Sequence, residues 1–112
     1  MDIQVTEHVY KAVVIAPQGR LDAASAPALR ERINQLCNEG YIYFVLDLSD
    51  VSFMDSAGLT VLVSLLRRTR QTGGNVKMVR PKQEAAIRVL RLTKMDYAFV
   101  IIERSDEPLF TF

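Results

Sequence analysis

The feature that most constrains this chain is a regular alternation between short β-branched or aromatic runs and segments whose apolar residues recur at helical spacing. Residues 3–7 (Ile3-Gln4-Val5-Thr6-Glu7) alternate apolar and polar with period two, the pattern of a half-exposed strand. Residues 10–16 end in a continuous apolar run and read as a more buried strand, with His8-Val9 as a hairpin connection. Ser25 stands where it can cap a helix whose first turn tolerates Pro27. Leu29, Ile33, Leu36 and Cys37 share one face of that helix, and Gly40 can close it. Residues 43–48 (YFVLDL) read as a central strand. Residues 51–54 form an extended stretch that passes into a second helix, running to about Thr72 and stopped by Gly73-Gly74. Leu59, Leu62, Val63 and Leu66 mark its packing face. A strand at 76–79, a third helix at 82–92 and a last strand at 98–102 complete the order ββαβαβαβ. That order predicts an α/β fold: a mixed, mostly parallel β-sheet with an antiparallel first strand and helices packed against it.

With 112 residues the chain reads as a single domain, 1–112, large enough to bury a core without metal or disulfide staples. One cysteine, Cys37, excludes an internal disulfide framework and favours a reducing compartment. The longest mostly apolar run, 57–66, is interrupted by Gly58, Thr60 and Ser64 and falls far short of the roughly 20 residues needed to span a bilayer. The N-terminus MDIQVTEH has neither a basic leader nor a hydrophobic stretch, so the expectation is a soluble, cytoplasmic protein. A formal net charge of +1 argues against a dedicated nucleic-acid binder or a polybasic membrane anchor.

In open parallel sheets functional groups gather where strands end and helices begin, because backbone N–H groups converge there. Two such junctions stand out, Gly19-Arg20-Leu21-Asp22 and Asp55-Ser56-Ala57-Gly58-Leu59. In the second, Asp55 is a natural N-cap, and Ser56 falls in the first helical turn with its hydroxyl near the exposed amides. Asp and Ser are also simply good helix starters, so spacing alone leaves a structural role open.

The stretch from Val45 to Leu59 (VLDLSDVSFMDSAGL) resembles the signature of the STAS domain, as found in bacterial anti-sigma factor antagonists. The Gly19-Arg20-Leu21-Asp22 turn is similar to that family's Gly-x-Leu/Ile-Asp turn, and residues 89–99 resemble its third helix and the approach to its last strand. The resemblance implies a partner-switching regulator without enzymatic activity or cofactor. Its serine, here Ser56, would be phosphorylated by an anti-sigma factor that is itself a serine kinase, and a PP2C-type phosphatase would reverse the modification. The unmodified form would bind the kinase and release its sequestered partner. Asp22 matches the family aspartate that lies near the serine and takes part in partner contact, and Asp55, Ser56 and Gly58 belong to the same motif. This chain departs in carrying Ala57 where a second serine is common, which leaves Ser56 as the hydroxyl at those positions, and Thr60 where glycine often follows leucine. The alternative is an unphosphorylated STAS accessory or scaffold subunit of a transporter or signalling complex, with Ser56 structural.

Other chemistries fit less well. An activated serine needs a base within reach, and the single histidine, His8, falls in the first hairpin. Asp22, Asp47, Asp50 and Asp55 suggest an acidic metal pocket less than they suggest caps and turns. Gly58 alone does not make a phosphate-cradling loop for a nucleotide. Residues 1–50 carry a net charge of −3 and 51–112 carry +4, with nine basic side chains and only Glu84 acidic between 67 and 94. That stretch reads as a solvated face, with Glu84 and Arg88 spaced to pair, or as a surface for an acidic protein. On the second helix Val61 and Leu65 extend the apolar arc beyond one packing face, and are expected either against a neighbouring helix or in a partner-docking patch.

Overall fold

One ten-residue strand organises the sheet of the computed structural model, which describes residues 1–7 and 12–103. Strand β2 (Ala12–Leu21) pairs antiparallel with β1 (Asp2–Glu7) along one edge. Along its other edge it forks. Ala12–Ile15 runs parallel to β3 (Tyr43–Asp47), and Gly19–Leu21 runs parallel to β4 (Val51–Met54) after a register shift at Gly19/Arg20. Gly19 has φ +94, a conformation in which an L side chain is strained, and its N–H donates to Asp50 O at 3.0 Å. The sheet then continues through β5 (Asn75–Val79) to β6 (Val100–Ile102), both parallel.

The predicted α/β class, the antiparallel first strand and the three helices are all present. Two strand predictions need correction. β2 continues through Pro17 to Leu21 instead of stopping near Ala16, and the stretch 51–54 is a paired strand in its own right. The His8-Val9 connection, the Tyr10 start of β2 and the tail beyond Glu103 lie outside the described residues.

The helices are α1 (Ala26–Asn38), α2 (Ser56–Gln71) and α3 (Glu84–Leu92), and a single 3-10 turn, Met95–Tyr97, precedes β6. From β2 to β3, β5 and β6 each crossover steps the same way across the sheet. Right-handed crossovers that never reverse direction place every connecting helix on one face. The core follows: Val13, Ile15, Phe44, Leu46, Val76 and Met78 project into one cluster with the helices' Leu29, Leu36, Leu62, Leu65 and Leu90. The alternate residues Ala12, Val14, Val45 and Val79 cluster on the opposite face. Burying each large aliphatic side chain is worth about 1.5–3 kcal/mol, so the helix-side cluster dominates stability.

Val61 and Leu65 belong to that cluster at 2% and 1% exposure, which corrects their reading as a docking patch. The cause is that α2 packs on α1 as well as on the sheet, so its buried arc spans Gly58, Val61, Leu62, Leu65, Leu66 and Thr69. Leu59 and Val63 are only half-buried at its margins. Glu84 pairs not with Arg88 but with Arg91, at 3.1 Å on the surface.

Candidate functional site

The fork in the sheet brings the two junctions together. Arg20 and Leu21 stand opposite Phe53 and Met54 in the β2–β4 ladder, so the end of β2 and the start of α2 are neighbours. Leu21 and Met54 point into the core, while Arg20 and Phe53 face outward, with the Arg20 guanidinium 4.1 Å from the centre of the Phe53 ring.

Asp55 fastens the junction. Its backbone is extended (φ −119, ψ −172), its own N–H donates to Leu21 O at 3.2 Å, and its Oδ1 accepts from Ala57 N at 2.9 Å and Gly58 N at 3.1 Å. Its Oδ2 accepts from Ala23 N at 3.2 Å in the facing turn. One carboxylate therefore caps α2 and ties it to the turn after β2. Close approach is possible because position 58 has no side chain: a Cβ there would overlap Leu21 O and its Cγ. Gly58 is buried, so its place at the site is a packing one.

The turn after β2 is built on Asp22. Oδ1 accepts from Ala24 N at 3.1 Å and Ser25 N at 3.2 Å, while Oδ2 takes Arg20 Nε at 3.3 Å. Partial desolvation pushes the Asp22 carboxyl up, but hydrogen bonds from Ser25, Arg20 and Ala24 outweigh it and hold it below its ordinary value of 3.8. Ser25 makes no side-chain cap to α1, contrary to expectation. Its hydroxyl instead donates to Arg20 O at 2.7 Å and accepts from Asp22 N at 3.0 Å, closing the turn backward.

Ser56 is the first residue of α2 and is exposed. The capping bonds from Asp55 go to the next two amides and leave the Ser56 hydroxyl at the surface. Thr60, also exposed, donates its hydroxyl to Ser56 O at 2.8 Å. Thus the bond from Ala23 to Asp55 brings the Asp22 turn against the helix start that carries Ser56 and Gly58, Val61 and Leu65 lie apart in the core, and Arg20 and Phe53 join the site unforeseen. Their signal was available in the in-and-out alternation of Arg20-Leu21 and Phe53-Met54, but only once the two segments are known to pair. The remaining aspartates shape turns: Asp47 Oδ1 accepts from Ser49 N and Oγ, and Asp50 supplies the carbonyl that takes Gly19 N. Among the described residues no cluster of three metal-ligating side chains forms, and no helix is long and apolar enough to cross a membrane.

The structure thus presents an exposed serine at a helix start that is pinned to the turn after β2. The STAS domain matches residues 1–107. The anti-sigma-B factor antagonist of Bacillus subtilis is 34% identical over 88 residues, 79% of each chain. A crystal structure of an anti-sigma factor antagonist from Mycobacterium paratuberculosis superposes with a TM-score of 0.82 at 27% identity, covering 98% of this chain and 91% of that one. The phosphorylated form of the Bacillus cell fate determinant SpoIIAA shares the fold, with a TM-score of 0.71 at 20% identity over 90% and 91% of the two chains. The chain belongs to the STAS domain family, among the anti-sigma factor antagonists.

Proposed function

We propose that this protein is a phosphorylation-switched antagonist that acts by binding in the cytoplasm and not by catalysis. Its unmodified form binds a cognate anti-sigma factor serine kinase at the Ser56 rim and so releases the factor that kinase sequesters. The kinase transfers the γ-phosphoryl group of ATP to Ser56 Oγ, with ADP leaving and the hydroxyl proton released, and a PP2C-type phosphatase hydrolyses the ester. The observation that carries the reading is the placement of Ser56: exposed, first in α2, outside the capping bonds and next to the Asp55 carboxylate, which is already engaged and ties it to the turn built on Asp22.

The physics of the switch follows from that placement. Phosphoserine carries about −1.5 to −2 charges at pH 7. At the helix N-terminus the dipole and free amides favour it by about 0.3–1 kcal/mol, so the modified domain stays folded. In an interface the same dianion, near Asp22 and Asp55, meets like charge and loses hydration. A penalty of about 3 kcal/mol weakens binding roughly a hundredfold. The test is to incubate the protein with its candidate kinase and ATP and to map the modified residue by mass spectrometry. Phosphate on Ser56, abolished by Ser56→Ala, is the expected result; modification at another residue, or none, contradicts the reading and favours a scaffold role.

A further inference from the structure

Resting on the reading of Ser56 as a phosphate acceptor, a second residue of the rim acquires a role. Arg20 stacks its guanidinium 4.1 Å above the Phe53 ring and donates Nε to Asp22 Oδ2 at 3.3 Å. Its side chain is 62% exposed, so neither contact is locked by burial. Phe53 is its partner across the β2–β4 ladder, and Ser56 lies three positions further along the chain, so those two Cα atoms lie at most about 11 Å apart.

The labour of the carboxylates is divided in a way that leaves Arg20 able to move. Asp55 spends both oxygens on backbone amides. Asp22 holds the turn with Oδ1 alone, and Oδ2 serves only the arginine. Loss of the Arg20 contact therefore leaves the turn and the α2 cap intact.

We propose that Arg20 answers the phosphorylation of Ser56: it holds Asp22 while the hydroxyl is free and transfers to the phosphate once the ester forms. A phosphate offers three acceptor oxygens and up to twice the charge of a carboxylate, and the planar guanidinium fork matches it bidentately. Stacking on Phe53 keeps the cation at the rim during the exchange. The exchange strips Asp22 of its counter-charge, so a docking partner meets two changes, an occupied Ser56 and a bare Asp22 carboxylate. Arg20 is thus a positioning residue of the switch.

The test uses the full chain with phosphoserine installed at position 56 during synthesis, so that no kinase is needed. The phosphate is titrated by phosphorus NMR in the wild-type chain, Arg20→Gln and Arg20→Lys. The expected result is a second phosphate pKa below the ordinary value of about 6 in the wild-type chain, raised by about half a unit or more in Arg20→Gln and partly restored in Arg20→Lys. The Arg20 Nε–H resonance of the wild-type chain should titrate with the same midpoint. Superimposable phosphorus titrations in the wild-type and Arg20→Gln chains would overturn the role of Arg20 while leaving Ser56 as the acceptor. Failure of the kinase to modify Ser56 would do the reverse, since the titration does not depend on it.

Discussion

Helices α2 and α3 both begin just after a strand, yet their starts are held differently. At α2 the carboxylate of Asp55 caps two amides and reaches Ala23 in another segment, while the Asp55 N–H is held by Leu21 O. At α3 the cap residue Gln83 makes no side-chain bond, and its backbone carbonyl serves only the local amides of Ala86 and Ile87. The packing differs in the same sense: α2 buries Gly58, Val61, Leu62, Leu65, Leu66 and Thr69, whereas α3 buries Ala86 and Leu90 and leaves Leu92 at 73% exposure. The contrast is one of reach: bonds from a distant segment fix the start of α2, whereas only local backbone bonds hold that of α3. Ser56 inherits a defined position from Asp55 and Gly58, and no equivalent framework supports the first turn of α3.

Substitutions sharpen that contrast, and the largest effect belongs to the α2 core. Leu65→Ala should lower unfolding free energy by about 2–5 kcal/mol in urea denaturation, against about 0.5 kcal/mol or less for Leu92→Ala. A Leu65→Ala protein of unchanged stability but lost partner affinity would restore that residue to the docking surface. Gly58→Ala forces α2 away from Leu21 and should cost about 1–3 kcal/mol by the same assay. Asp55→Ala removes cap and tether together and should cost about 0.5–2 kcal/mol, whereas Gln83→Ala should be near neutral. Equal losses at the two caps would erase the distinction between the helix starts.

The smallest effect is a pH dependence at Asp22. Its carboxyl is held below its ordinary 3.8 in the folded chain, so its contribution to stability is complete above that value and disappears as pH falls through the lower folded pKa. Urea midpoints measured from about pH 5 down to about pH 2 should therefore fall less steeply for Asp22→Asn than for the wild-type chain. Parallel curves would show that Asp22 titrates alike in both states.

Apart from β4, the element types and order and the antiparallel first strand were legible in the sequence, because strand period and helix period are local signals; Asp55 and Ser56 were legible as a helix start from cap chemistry, and the nearness of Asp22 to them was implied by the resemblance to the STAS signature. What was not legible depends on tertiary partners. Four residues of β4 give too short a pattern to separate strand from extended loop, and only the fork of β2 pairs them. The wide apolar arc of α2 reflects two packing partners, so wheel geometry alone could not tell Val61 and Leu65 from a docking patch. Ser25 stands at the cap position of α1 as its sequence suggests, but its hydroxyl bonds back to Arg20 O instead, a contact that depends on the shape of the turn. The Arg20–Phe53 stack is invisible until the ladder register is known.

The central claim is that charge at Ser56 decides whether the rim can be occupied. The most direct measurement is the Kd of the cognate anti-sigma factor for the unmodified chain and for the same chain carrying phosphoserine at position 56, determined side by side by calorimetry. The account predicts roughly hundredfold weaker binding of the phosphorylated chain, with both forms folded. Equal dissociation constants for the two forms would contradict it.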